Sequence, residues 1–403
     1  VRTEEAVVPE QPFPGVFVEE TSFRPTLIEG VDTSTLGMAG LTCFGPPAPT
    51  LVTSFAEFER VFGGLDDVGH EGQDRTNHLA YAARGFFDNG GRRLYVARVA
   101  PLEADAGGRP LTADDLAGMP SPDAPSVAPT GLAALAEVDD VAIVATPDMV
   151  RLDASDQVTA AANLIAHCER PGAYRFGIID PPRDSTVADV RAFRARFDTS
   201  RAALYYPWLD VLDPSGGRVQ VPPSGFVAGI YARVDIERGV HHAPANEVID
   251  GIMALRALVT DQALNPEGIN LLRFFNGRGS RVWGARTMSS DPEWRYVNVR
   301  RLFLYLEHSI DRSTRWAVFE PNNEVLWASV VRAVENFLVT TWRNGALQGS
   351  RPEEAFFVRC DRTTMTQDDL DNGRLVCLVG VAPVRPAEFV IFRIGQWTAD
   401  AQR

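Results

Sequence analysis

Between residues 141 and 234 the chain repeats one unit three times: a short apolar run, a polar break, then apolar side chains spaced three and four apart. The runs at 141–146, 174–179 and 203–206 are rich in the β-branched and aromatic residues that suit a pleated backbone. Each precedes a helical stripe: Val158, Ala161, Ala162, Ile165 and Cys168; Val190, Phe193 and Phe197; then Val227, Ile230, Tyr231 and Val234. Parallel strands cannot be joined by a tight turn and need a crossover element, so this alternation demands a small, mostly parallel α/β sheet with helices against it.

The flanks read differently. Ser54-Phe55-Ala56-Glu57 is a capping box that opens a short helix with Phe55, Phe58 and Phe62 on one face, closed by Gly63-Gly64. A second helix places Leu79, Ala82, Ala83 and Phe86 together and stops at Asn89-Gly90, and a strand follows at 94–99. Residues 101–131 hold Pro110, Pro120, Pro122, Pro125 and Pro129, the composition of a domain seam. From about Pro244 the pattern is mixed, with strands at 269–275, 281–287, 356–360 and 375–381, a helix after Asp291-Pro292 and another after Pro321-Asn322. Two extended pieces stand apart: 14–20 behind Pro14-Gly15, and 388–394 behind Pro383 and Pro386. The expected fold class is α/β, an α+β core carrying an inserted, mostly parallel α/β domain, with extended strand arms at both ends.

Composition removes several functions. The formal charge is 39 − 53 = −14, which argues against nucleic acid, whose binding needs clustered positive charge. All 39 basic residues are arginine, which favours forked contacts to carboxylates. No apolar run reaches the roughly 18 residues of a membrane span, and residues 1–10 lack the basic-then-apolar order of a signal peptide, so a cytoplasmic place of synthesis is expected. Cys43, Cys168, Cys360 and Cys377 are scattered without metal-ligand spacing and read as reduced, buried small residues.

Candidate chemistry fares no better. Asp148, Asp180, Arg183 and Asp184 fall at the carboxyl ends of the predicted parallel strands, where α/β enzymes keep their sites. Yet Pro147, Pro181 and Pro182 remove the N–H groups that a phosphate cradle would supply. Gly277-Arg278-Gly279-Ser280-Arg281 lies between two strands and reads as a hairpin turn. His241-His242, if extended, point to opposite faces, and the acidic stretch 367–373 places Leu370 where a calcium loop needs oxygen, so it reads as helix capping. No nucleophile with a general base emerges, and no catalytic residue, cofactor or metal is expected.

Several stretches together resemble the contractile tail sheath family of phages and extracellular contractile injection systems. They are residues 14–20 (PGVFVEE), 53–64 (TSFAEFERVFGG), 86–99 (FFDNGGRRLYVARV), 265–302, 362–375 (RTTMTQDDLDNGRL) and 379–396 (VGVAPVRPAEFVIFRIGQ). His242 and Asn276 depart from the family pattern, where lysine and proline are common. The resemblance implies a sheath-type fold divided into an N-terminal arm and strand (1–20), the core sheath domain (21–100 and 240–384), an inserted outer α/β domain (101–239) and a C-terminal arm (385–403). It implies a structural subunit that stacks as hexameric rings around an inner tube, with baseplate and cap proteins as further partners, no nucleic acid bound directly and no direct membrane insertion. Strand pairing between subunits would use Val16, Phe17, Val18, Phe389, Val390, Ile391, Phe392 and Ile394. A tube, cap or baseplate component of the same machine is the alternative, and an α/β enzyme a more distant one. The finished particle would be phage-tail-like, either virion-like or released as an extracellular particle.

Overall fold

The computed structural model describes residues 27–68, 74–99, 110–118, 128–259 and 264–388. The residues expected to pair between subunits, Val16, Phe17, Val18, Phe389, Val390, Ile391, Phe392 and Ile394, lie outside them.

In chain order the first half comprises β1 (Leu36–Gly40), β2 (Thr50–Val52), α1 (Phe55–Phe62), α2 (His78–Asp88), β3 (Leu94–Arg98), α3 (Ala113–Ala117) and α4 (Gly131–Leu135). The βα repeat follows as β4 (Ile143–Ala145), α5 (Ala154–Glu169), β5 (Phe176–Ile179), α6 (Val187–Arg194) and β6 (Ala202–Tyr206). Next come β7 (Leu209–Leu212), β8 (Arg218–Val221), α7 (Ser224–Arg238), β9 (Ala254–Leu255), β10 (Ile269–Phe275) and β11 (Gly279–Val282). The last stretch holds α8 (Val297–Thr314), α9 (Glu324–Arg343), α10 (Pro352–Ala355), β12 (Phe356–Arg359), α11 (Gln367–Asp371) and β13 (Leu378–Val381).

Among the described residues, eight strands form one sheet in the order β11-β10-β6-β5-β4-β1-β3-β2. Every pairing from β10 to β3 is parallel, and an antiparallel strand closes each edge. The strands alternate strictly, because successive side chains leave opposite faces. Met38, Ile143, Ile178 and Tyr205 meet α2 and α7 on one face, while Ala39, Val144, Ile179 and Leu204 meet α3 to α6 on the other. Helix α7 lies against α2 at backbone contact: a Cβ on Gly225 would come within 2.3 Å of the Ala82 carbonyl oxygen, and one on Gly229 within 2.4 Å of that of Phe86.

The expected domain limits at 100 and 239 both fall inside this sheet. Strand β1 pairs on one side with β3 and on the other with β4, and β6 pairs with β10. The proline-rich seam therefore interrupts the chain without separating two sheets. The change of architecture comes later, where α8 and α9 build a separate cluster around Leu302, Trp327, Val334, Phe337 and Leu338. Ile28 and Val240 reach into that cluster and tie it to the rest.

The strand expected at 281–287 stops at Val282 for a side-chain reason. The Asn270 amide takes the place of a ladder neighbour, accepting from Arg286 N and donating to Arg286 O at 2.7 Å each. The hairpin reading of 277–281 holds: β10 and β11 are antiparallel, and Gly277 and Gly279 have φ near 75°. His241 and His242 do not point apart. They occupy a turn in which His242 N donates to Gly239 O, and their rings lie 4.3 Å apart. Asp291-Pro292 opens only a 3-10 turn, and α8 begins five residues after Pro292.

Candidate assembly interface

Strands β12 and β13 pair only with each other among the described residues. Their alternation sets Phe356, Val358 and Val381 against the α8–α9 cluster. The opposite face carries Phe357 and Leu378, which are 57% and 49% exposed, and Val379 at the margin is 39% exposed. Phe357 faces Gly380 across the ladder and covers it, supplying the packing that a glycine cannot. An open edge and an apolar outer face are what a soluble chain ordinarily hides, since unpaired N–H and C=O groups invite another strand.

The excursion between the two strands is held compactly. Thr366 caps α11 reciprocally with Asp369, and Arg374 Nε donates back to Asp369 at 2.8 Å. These bonds hold the Asp369 carboxyl at about pKa 2. The acidic run is thus helix capping, as its spacing indicates.

Glu388, the first residue of the segment expected to leave the subunit, is fastened to the central sheet. Its carboxylate accepts two bonds from the buried Arg286 guanidinium, one of them Nε to Oε1 at 2.9 Å, and Tyr296 OH donates to it at 3.4 Å. The fork raises the Arg286 pKa further, chiefly through the bond to Glu388. Nothing in the sequence pattern separates Arg286 from its many neighbours, so this anchor is visible only in the structure.

The carboxylates weighed as candidate chemistry have structural occupations. Asp148 accepts from Leu41 N at 2.7 Å and from Arg151 Nε at 2.8 Å, and Arg151 also donates to the carbonyls of Val68, Asp74 and Thr76. Arg183 donates to Asp74, and Asp184 accepts from Arg256. Asp180 accepts from Ser224 N at the start of α7 at 2.9 Å, and its other oxygen is buried without a partner. Burial, only partly offset by the bonding to Ser224, pushes its pKa up to about 7.

A second buried pair joins the two units of the molecule. Arg301 on α8 forks onto Asp235 on α7 at 2.9 and 2.7 Å and donates to Thr33 O, while its guanidinium covers the Tyr231 ring at 4.8 Å. Among the described residues no group of three His, Cys, Asp or Glu side chains could hold a metal ion, and no helix is long and apolar enough to cross a membrane.

The site is thus a doubly covered, mostly parallel sheet joined to a helical unit that ends in an open strand pair. Family models for the phage tail sheath protein central domain and the phage tail sheath C-terminal domain match residues 123–288 and 289–396. Their junction coincides with the passage from the sheet to the α8–α9 cluster. The helical sheath of the anti-feeding prophage in its contracted state is 31% identical, with a TM-score of 0.74 over 96% of this chain and 100% of that one. The contracted sheath complex of the extracellular contractile injection system PVC is 30% identical, with a TM-score of 0.73 over 98% and 99%. A prophage major tail sheath protein of Pseudomonas aeruginosa is 26% identical over 56% of this chain, and the match spans little more than half of that relative, 59%. The chain belongs to the phage tail sheath protein family, a family of structural sheath proteins.

Proposed function

We propose that the chain polymerises with copies of itself into a contractile sheath around an inner tube, as stacked six-membered rings that connect to baseplate and cap proteins. Assembly takes place in the cytoplasm, and the finished particle is phage-tail-like. The chain carries no chemistry of its own: the work is mechanical, a passage from a metastable extended polymer to a compact one with more buried interface.

The observation that favours this reading is the open β12–β13 pair with Phe357 and Leu378 outward, close in sequence to the fastened Glu388. Residues 389–394 of one subunit add to the β12–β13 pair of a neighbour, and Val16, Phe17 and Val18 complete the same sheet from another. Strand addition suits a polymer that must change length, because the ladder persists while rigid bodies turn about the connecting segments. Roughly four ladder bonds at about 0.5–1.5 kcal/mol each, with about 1.5–3 kcal/mol per buried apolar side chain, link each pair by several kcal/mol.

Ile391→Pro tests it. Proline removes one ladder donor and is tolerated poorly inside a sheet. Tube formation is scored by electron microscopy with the inner-tube partner present, and thermal unfolding is measured on the isolated chain. A near-native melting temperature without tubes supports strand exchange; an unfolded chain assigns the segment to its own subunit's core instead.

A further inference from the structure

Cys360 and Cys377 are far apart in the excursion-containing sequence, yet the β12–β13 register makes them partners. Arg359 pairs with Leu378, so the next step along the ladder sets Cys360 opposite Cys377. Ala382 N donates to Ala355 O, which fixes the phase of the hydrogen bonds and makes 360/377 a non-hydrogen-bonded position. Such positions hold Cα atoms about 4.5 Å apart, inside the roughly 4.4–6.8 Å that a disulfide spans. The side chains point the same way as well, since residues directly opposite each other on an antiparallel ladder project from one face, and each thiol bears on the other's ionisation. Both cysteines are free thiols.

We propose that Cys360 and Cys377 form a cross-strand dithiol that small disulfides of the glutathione class oxidise to an intramolecular disulfide, stapling the β12–β13 pair. Access exists from one side: Cys360 lines an open groove of about 460 Å³ with Trp327, Ala328 and Val331, and Cys377 is half-buried. One thiol, as thiolate, attacks the small disulfide and forms a mixed disulfide, releasing one equivalent of the small thiol. The second protein thiolate then attacks the sulfur of the mixed disulfide and expels the other equivalent. Two protein S–H bonds and one S–S bond are exchanged for one protein S–S bond and two small-molecule S–H bonds, so electrons and protons balance. Burial pushes the Cys377 thiol up to about 11, so thiolate is scarce at neutral pH and the pair stays reduced where a reducing thiol pool is present.

The chain's arginines make the test direct. Trypsin, which cleaves after arginine except before proline, puts Cys360 in the peptide 360–362 and Cys377 in the peptide 375–393. The full chain is incubated with oxidised glutathione at about pH 8.5, where more thiolate is available, its remaining thiols are alkylated, and it is digested. The expected result is a single linked peptide, 360–362 with 375–393, that lacks two hydrogen atoms and vanishes on treatment with dithiothreitol. Cys360→Ser is expected to leave Cys377 carrying glutathione instead. The proposal is overturned if both cysteines of the folded wild-type chain emerge alkylated, or each carries its own glutathione, or the linked peptide forms only in denaturant. None of these outcomes depends on whether the chain polymerises.

Discussion

Asp180 illustrates how a residue placed where enzymes keep their acids can be a liability of packing. It sits at the end of β5, fully buried, with one carboxylate oxygen bonded to the first turn of α7 and the other unpaired. Its usual pKa of 3.8 rises to about 7 because burial disfavours the charged form. Below about pH 4 the group is neutral in both folded and unfolded chains, and its ionisation costs nothing. As pH rises, the unfolded chain releases the proton first, so stability is lost across the window from about 4 to 7 and then levels off. Asp180→Asn keeps the acceptor for Ser224 N and removes the titration. Its stability advantage over wild type is expected to be near zero at about pH 4 and to reach up to about 4 kcal/mol at pH 8, the size of a three-unit shift. Urea denaturation of both chains at the two pH values checks this, and parallel pH profiles would count against it. The Asp235–Arg301 pair differs in degree: burial raises the Asp235 pKa too, but the Arg301 fork and the Thr33 hydroxyl both pull against that rise.

At the scale of elements, α2 and α7 meet backbone to backbone over the central sheet. Gly225 and Gly229 lie four apart and therefore on one face of α7, and each meets a backbone carbonyl of α2 that cannot rotate away. Gly225→Ala is expected to destabilise the chain by about 1–3 kcal/mol by forcing the helices apart, even though alanine is the better helix former. A thermal melt of the variant that matched or exceeded wild type would refute this. Neither glycine stands out in the sequence, because spacing reveals which face is buried but not how closely it is approached. Elements with a strong internal signal were legible: α1 through Ser54 and its three phenylalanines, β10 over its whole length, and α9 through Val330, Val334, Phe337 and Leu338. Elements shaped by distant side chains were not. The end of β11 depends on Asn270, and the turn that brings His241 onto His242 depends on a bond to Gly239. The facing of Cys360 and Cys377 required the β12–β13 register, which the intervening residues conceal.

For the whole molecule, the decisive fact is which strands are neighbours in space. A proline-rich stretch followed by a self-contained βα repeat reads as an insertion that could be removed, leaving a core built from both ends of the chain. The sheet order opposes this, because β4, β5 and β6 stand between β1 and β10. Removing residues 101–239 would strip β1 of one neighbour and β10 of its parallel partner, and it would also take away α5, α6 and α7, which cover both faces. Met38, Leu79 and Phe86 on one side and Leu271 and Met288 on the other, all buried in the intact chain, would then face water. Each such exposure costs about 1.5–3 kcal/mol, and a few of them exceed the roughly 5–15 kcal/mol by which a domain is stable. Deletion of 101–239 is therefore expected to give an aggregated chain with no cooperative melt, and so no tubes. Calorimetry and electron microscopy of the shortened chain decide it: a soluble product that melts cooperatively and still assembles would show that the two sheet fragments can close on each other, and that the expected limits at 100 and 239 mark a true insertion.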